Sequence, residues 1–333
     1  MKRLLVIILV AAGLWAGYWF VGAAGAKRGF VAWFDAQRQA GWQADYADMT
    51  LRGFPSRFDT TLTDLRLADP LTGWAWEAPF FQIFALSYRP GHVIAVWPDR
   101  HRLSTPIEKF DITSASMQAS LRVATTPSLP LERANLHAES LSIADSAGNV
   151  TTMTALRMAV ERRPEGANSY RIAMVADDLA PARDTRLRID AAGGLPRTLA
   201  AFRAEVEADF DRPWDRFAIE TARPQPTRLK ITRAEARWGD LELALAGEIT
   251  IDHSGIPTGQ IVLKARNWRD MIDMAVAGGA IPRQMGDQMA SGLSLVARLS
   301  GNIRTLDIPV DFARGGMSIG PVPLGPAPVI ALR

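Results

Sequence analysis

Apolar side chains follow two different patterns along this chain. The first runs from Leu4 to Ala26 without a charged residue, and a helix of that length can cross a bilayer at about 1.5 Å per residue. From Ala44 onward, apolar and polar residues alternate between glycine and proline turns, which is typical of antiparallel strands. These patterns predict a mainly β (α+β) fold: a long antiparallel meander forming a curved sheet or open half-barrel, with an N-terminal transmembrane helix and a helical insertion near the C-terminus.

Individual strands and turns can be assigned from the alternation. Leu65 and Leu67 alternate with polar neighbours and predict one strand. Arg89–His92 contains a Pro-Gly pair and predicts a hairpin turn between strands at Phe80–Tyr88 and Val93–Trp97. Further strands are predicted at 110–116, 117–124, 136–144, 151–161, 170–176, 241–251, 260–266, 305–312 and 317–322.

The chain divides into four predicted regions. They are an N-terminal transmembrane anchor (1–26), a juxtamembrane helix (27–41), a first β-rich region (42–195) and a second β-rich region (196–333) with helices around 268–299. The turn formers at Gly193–Pro196 mark the boundary between the two β-rich regions. Two interpretations of 27–41 remain open: a separate helix lying against lipid or the β body, or a continuation of the anchor helix. Continuation is favoured.

The N-terminal apolar run has an alternative interpretation as a cleaved signal peptide. Ala24–Ala26 has the small-x-small form that signal peptidases accept. However, the run from Leu4 to Val21 is longer than the roughly 7 to 15 residues of a signal peptide's apolar region. Trp15, Tyr18 and Trp19 also fall on one helix face, where they would serve as an interfacial membrane anchor. A retained anchor is therefore favoured.

The orientation of the anchor follows from charge and domain size. Lys2 and Arg3 precede the run, and Lys27, Arg28 and Arg38 follow it, so the positive-inside rule is nearly balanced. The N-terminal amine adds a positive charge to the short tail, and long domains translocate largely regardless of their charge. We therefore expect a single-pass protein of the bacterial inner membrane with its C-terminal body in the periplasm.

Composition narrows the functional classes. The 333 residues are 48% hydrophobic, so the chain can bury a large core. The net charge is +3 and the basic residues are spread singly, so no nucleic acid partner is expected. Cysteine is absent, which excludes disulfides and a thiolate nucleophile.

The motifs that suggest enzymatic chemistry fail their context tests. Gly316–Gly320 matches the G-x-S-x-G nucleophile elbow, but prolines follow where a helix is required and no histidine follows Ser318. A β-hairpin is the favoured interpretation. The four histidines lack ligand spacing, and the adjacent Asp177 and Asp178 are typical of a solvated turn. We expect no catalytic residues, no metal site and no cofactor.

One predicted strand has two apolar faces. In Phe80–Tyr88, apolar residues occupy both alternating sets, so the strand is either sandwiched between covered faces or lines an apolar groove. Under the groove interpretation, the predicted lipid-groove lining residues are Phe81, Ile83, Phe84 and Leu86.

Three motifs carry a family resemblance. They are Leu51–Phe58, Arg237–Asp240 and Ser318–Gly325, and through them the chain resembles a bacterial membrane-anchored family known as domain of unknown function 2125. The anchor followed by a long β meander is also distantly similar to the AsmA-like envelope proteins. That second resemblance implies a role in outer-membrane biogenesis and lipid transfer along a hydrophobic groove.

Three functional hypotheses follow. The leading one is a non-enzymatic, inner-membrane-anchored envelope protein that binds phospholipid or another envelope lipid in an apolar groove, or scaffolds envelope biogenesis. The second is a structural interaction module that pairs with another envelope protein along a sheet edge. An envelope hydrolase is the least favoured, because no catalytic constellation is found.

Overall fold

The computed structural model describes residues 1–191, 193–220, 223–279, 281–299, 304–320 and 322–332. Within these residues, one long helix precedes a single sheet of 18 strands, and four shorter helices interrupt the later strands. The helices are α1 Lys2–Gln39, α2 Arg183–Ile189, α3 Phe217–Glu220, α4 Trp268–Ala277 and α5 Arg283–Leu299.

The strands follow one another along most of the chain. The first nine are β1 Gln43–Asp45, β2 Asp48–Arg52, β3 Arg57–Asp69, β4 Trp74–Leu86, β5 Arg89–Val96, β6 Arg100–Ser104, β7 Lys109–Thr113, β8 Ser116–Val123 and β9 Leu131–Asp145. The remaining nine are β10 Val150–Arg162, β11 Ser169–Asp177, β12 Ala201–Phe210, β13 Pro226–Trp238, β14 Leu241–Ile251, β15 Pro257–Arg266, β16 Thr305–Ala313, β17 Gly316–Ile319 and β18 Val322–Pro326.

The sheet is antiparallel and open. From β9 to β18 each strand pairs with the next one in the chain. At the other end, β1 and β2 share one edge of β3, and β4 lies on its other edge. Two pairs of short strands lie side by side between β4 and β9: β5 with β8, and β6 with β7. No ladder in the described ranges joins β2 to β18, so this curved sheet is not a closed barrel. The predicted mainly β fold is confirmed.

The first helix continues through the predicted boundary between residues 26 and 27. It runs unbroken to Gln39, where the Gly41 N–H bonds to the Arg38 carbonyl and Gly41 takes a φ of 91°. A positive φ suits glycine and ends the helix. The favoured interpretation, in which one helix continues past residue 26, is confirmed.

Helices cover the sheet at its two ends. Near the N-terminus, Phe34 of α1 is buried against Leu62 and Leu65 of β3. Near the C-terminus, Trp268 of α4 is buried on Leu306 of β16, in a cluster that includes side chains of α5. The predicted helical insertion around 268–299 is therefore confirmed, and it forms the second of two end caps.

The predicted hairpin turn at Arg89–His92 is wrong. The turn lies two residues earlier, at Ser87 and Tyr88, and Arg89–Val96 forms β5. The Pro-Gly pair instead falls at a register shift, where Ala85 pairs with Val93 but Leu86 already pairs with Arg89. A bulge accommodates proline in a strand because the local ladder is interrupted there.

The Gly193–Pro196 segment lies in the connection between α2, a helix that the sequence pattern does not predict, and β12. On either side of it, β11 and β12 pair with each other at eight successive positions. One sheet therefore extends across both β-rich regions.

Candidate functional site

The strand register assigns side chains to the two faces of the sheet. Residues directly opposite each other on neighbouring strands project to the same side, and successive residues along a strand project to opposite sides. Following these pairs from strand to strand therefore gives rows of side chains that cross the sheet on one face.

One such row is apolar at every position from β4 to β16. It consists of Ile83, Ala95, Ala119, Leu136, Met158, Met174, Ala204, Ala234, Leu245, Leu263 and Ile308. A second row on the same face consists of Met117, Ala138, Leu156, Ala176, Phe202, Ala236, Leu243, Ala265 and Leu306. We call the surface formed by these two rows the apolar face.

The adjoining row on the other side of the sheet is chemically different. It consists of Gln82, Val96, Gln118, His137, Arg157, Val175, Arg203, Glu235, Ala244, Lys264 and Asp307. Five of these eleven side chains are Arg, Lys, Asp or Glu. This polar face is suited to water, and the apolar face is not.

The apolar face is only partly covered. At the C-terminal end, Ala265, Leu306 and Ile308 are buried beneath α4 and α5. In the central strands, residues such as Met158 and Met174 are only half-buried. Solvent therefore reaches a strip of apolar side chains between the two helical caps.

The length of the whole apolar face, including the end beneath α4 and α5, follows from the spacing of the strands. From β4 to β16 there are ten steps between neighbouring strands, and at about 4.8 Å per step they extend about 48 Å along the sheet. The hydrocarbon of one bilayer leaflet is about 15 Å thick. The apolar face is therefore long enough for more than one acyl chain end to end.

Ion pairs between neighbouring strands stabilise the polar face. Arg203 Nε and Nη2 donate to Glu235 Oε2 at 3.0 and 2.7 Å, and Arg233 Nη2 lies 2.6 Å from the same oxygen. The bond from Arg203 is the main cause that holds the pKa of Glu235 below its usual value. This carboxylate, buried among arginines, fixes the alignment of β12 with β13.

The four predicted groove residues do not share one face. Phe81 and Ile83 lie on the side of the apolar face, and Phe84 and Leu86 lie on the other side. The Phe81 ring lies 5.2 Å from the ring of Trp97 and joins the cluster beneath α1. Of the four, Ile83 belongs to the rows that define the apolar face.

The sequence pattern missed most of the apolar face. Met158, Met174 and Leu245 are at least 16 residues apart in the chain, and only the register aligns them. Alternation within each strand shows which of its side chains avoid water, but it does not show which residues of other strands lie beside them.

The predicted anchor residues lie where α1 meets the sheet. Tyr18 Oη donates to the Ser87 carbonyl at 2.6 Å, Trp19 Nε1 donates to the Arg57 carbonyl at 2.7 Å, and the Trp15 ring lies 5.7 Å from the Tyr18 ring. Trp19 is buried, whereas Trp15 and Tyr18 are exposed. The helix that carries them is long and apolar enough to cross a membrane.

The remaining candidate motifs have structural roles. Gly316–Ile319 is β17, which pairs with β16 across a tight turn, so the hairpin interpretation is confirmed. Asp177 pairs with Arg157, and Asp178 accepts a hydrogen bond from Thr154. Within the ranges that the structure describes, no three His, Cys, Asp or Glu side chains are grouped as metal ligands.

His101 is the most enclosed histidine. Its Nδ1 accepts a hydrogen bond from Trp76 Nε1 at 3.1 Å, and burial lowers the pKa of His101. Burial therefore favours the neutral imidazole, and its ring lies edge-on to the Trp76 ring, with 6.1 Å between the two ring centres.

Comparison with known proteins gives one match. Residues 19–328 match the model of a family described as an uncharacterized protein conserved in bacteria (DUF2125). No curated protein and no solved structure matches the chain. Since the match covers nearly the whole chain, this protein belongs to that bacterial family.

Proposed function

We propose that this protein is a membrane-anchored envelope protein whose apolar face binds the acyl chains of lipids. The α1 helix holds it in the bacterial inner membrane, and the sheet lies in the periplasm. The observation that carries the proposal is the pair of unbroken apolar rows, in which Met158 and Met174 of the central strands stay half-buried while only the C-terminal end lies beneath α4 and α5.

An apolar strip of this length needs an apolar partner. Monomeric soluble proteins rarely expose contiguous apolar patches larger than a few hundred Å². Each methylene group that leaves water for such a surface stabilises the complex by about 0.8 kcal/mol. An acyl chain placed along the strip would therefore bind through many small contributions, without a specific polar contact.

The composition of the rows favours lipid over a protein partner. Their side chains are Ala, Leu, Ile, Met and Phe, without hydrogen-bonding groups, whereas protein interfaces carry about one hydrogen bond per 100–200 Å². Methionines such as Met158 and Met174 are flexible and adapt to irregular apolar shapes. The resemblance to AsmA-like proteins agrees with this role and stays a prediction.

Strand addition by another envelope protein is the second candidate. At the C-terminal edge of the sheet, β18 carries Pro323 and Pro326, which cannot donate backbone hydrogen bonds. This edge is therefore a poor template for an added strand, so the lipid proposal is preferred.

Lipid analysis of the full-length protein tests the proposal. The protein would be purified from membranes in mild detergent, and bound lipid would be identified by native mass spectrometry and by extraction. A discrete lipid complex that survives delipidating washes is expected. Protein without lipid, co-purifying instead with a stoichiometric protein partner, would support the strand-addition alternative and contradict the proposal.

A further inference from the structure

The α1 helix meets the sheet inside its own apolar run. The contacts at Tyr18 and Trp19 fall between Leu4 and Ala26, and a Cβ built on Gly22 would lie 2.6 Å from the Phe58 ring. The sheet therefore begins to cover the helix before the uncharged segment ends.

The depth of this contact can be worked out from the helix rise. The residues before the contact, Lys2 to Gly17, extend only about 24 Å, which is less than the roughly 30 Å of a hydrocarbon core. Tyr18 to Gly22 lie about 8 to 14 Å before Lys27, the first charge after the run. If Lys27 marks the water side, this contact lies within the leaflet on the side of the sheet.

From this contact, the helix runs along β3 away from the membrane. Trp19 bonds to Arg57 at the start of β3, and Phe34, 15 residues later, is packed with Leu65. The two separations are about 22 Å along the helix and about 26 Å along the strand. The start of β3 and the end of β4 are therefore the part of the sheet nearest the membrane.

Two adjacent turns form this end of the sheet: Gly53–Ser56, and Ser87 with Tyr88. We call them together the tip. Its exposed side chains include two aromatic rings, Phe54, which is 54% exposed, and Tyr88, which is 56% exposed. The Phe54 ring also lies 5.4 Å from the Trp19 ring and 5.7 Å from the Phe20 ring of α1.

Three backbone carbonyls of the tip, those of Gly53, Ser56 and Ser87, accept hydrogen bonds from within the protein. The Gly53 carbonyl accepts from the N–H groups of Ser56 and Arg57, and the Ser56 carbonyl accepts from Ser87 N–H and Oγ. The Arg57 and Ser87 carbonyls accept the two bonds from α1. Satisfied backbone groups are what a hydrocarbon environment requires, because lipid offers no hydrogen bonds.

We propose that the tip is inserted into the leaflet on its side of the membrane that α1 crosses, with Phe54 as its leading side chain. This inference rests on the proposed anchoring by α1. It places Ile83, the first residue of the long apolar row, about 10 Å from the end of β4. A lipid of that leaflet reaches the apolar face at β4 over this short distance.

Depth-dependent fluorescence quenching tests the insertion. Because the chain has no cysteine, an environment-sensitive fluorophore can be attached to single-cysteine variants of the full-length protein in phospholipid vesicles containing bromolipids. The variants are Phe54→Cys and Tyr88→Cys at the tip, Leu9→Cys in the apolar run, and Leu71→Cys as the matched control. Leu71 is 90% exposed in the β3–β4 turn, about 40 Å along β3 from the tip.

The outcomes separate the proposed insertion of the tip from the proposed anchoring by α1. Strong quenching at Phe54→Cys, Tyr88→Cys and Leu9→Cys, with none at Leu71→Cys, is expected. Quenching at Leu9→Cys without quenching at either tip position would overturn the insertion but leave the anchor intact. Absence of quenching at Leu9→Cys would overturn the anchor and the insertion together.

Discussion

Two neighbouring positions on β11 offer a sharp test of which face binds lipid. Met174 lies in the long row of the apolar face, and Val175 lies in the polar row on the other side. Both side chains are half-buried. Met174→Asp and Val175→Asp therefore place the same carboxylate on the same strand, at the same sheet position, but on opposite faces.

The expected magnitude follows from the environment that each carboxylate meets. An aspartate in contact with acyl chains costs about 3 kcal/mol, which corresponds to about 100-fold weaker lipid binding. On the polar face, the new carboxylate of Val175→Asp lies opposite Arg157 and Arg203. It meets water and positive charge there, so its effect on lipid affinity is expected to be less than about 3-fold.

The assay is displacement of a labelled phospholipid from the purified full-length protein in detergent. Circular dichroism and thermal unfolding of both variants establish that the sheet is intact. The reasoning is refuted if folded Met174→Asp binds lipid like the unmodified protein, or if Val175→Asp weakens binding equally. If both variants unfold, the same comparison is made with Ile83→Asp on the apolar face and Phe84→Asp as the control on the opposite face.

Three further predictions concern the fold that supports the apolar face. Phe34→Ala removes a fully buried ring of α1 that packs on β3 and is expected to lower the free energy of unfolding by about 3–5 kcal/mol. Val31→Ala, at an exposed position of the same helix, should change it little, and chemical denaturation measures both. Gly247→Ala forces a Cβ to 2.3 Å from a backbone oxygen at a φ of 148° and should destabilise the protein by at least about 2 kcal/mol, while Gly292→Ala, with open space around it, should stabilise α5 by up to about 1 kcal/mol. The hydrogen bond from Arg203 lowers the pKa of Glu235 in the folded protein. The contribution of Glu235 to stability is therefore complete above the pKa of an unperturbed glutamate and is lost as the pH falls through the lower pKa of the folded state. Glu235→Gln should remove this part of the acid dependence of the melting temperature.

The sequence pattern predicted the elements of the fold better than their arrangement. Alternation along 241–251 predicts one strand with two different faces, and β14 has those bounds. Leu65 and Leu67 share the core side of β3 as predicted. Such patterns succeed because the alternation of apolar and polar residues within a strand shows which of its faces is buried.

Local backbone conformation and register explain what the pattern could not show. Asp64 takes a φ of 50°, and Leu62 and Leu65, three residues apart, are both buried in the cluster beneath α1. A strict alternation places residues three apart on opposite sides. Likewise, no pattern within β4 shows that Ile83 heads a row extending to Ile308, because that row depends on ten pairings with distant strands.

Site-specific photocrosslinking in bacterial cells tests the central claim most directly. A photoreactive amino acid would replace Met158 on the apolar face, and in a separate variant Arg157, its neighbour on the polar face. Mass spectrometry of the purified protein after irradiation would identify the adduct. The proposal predicts a lipid adduct at position 158 and none at position 157. A protein adduct without lipid at position 158, or equal lipid adducts at both positions, would contradict it.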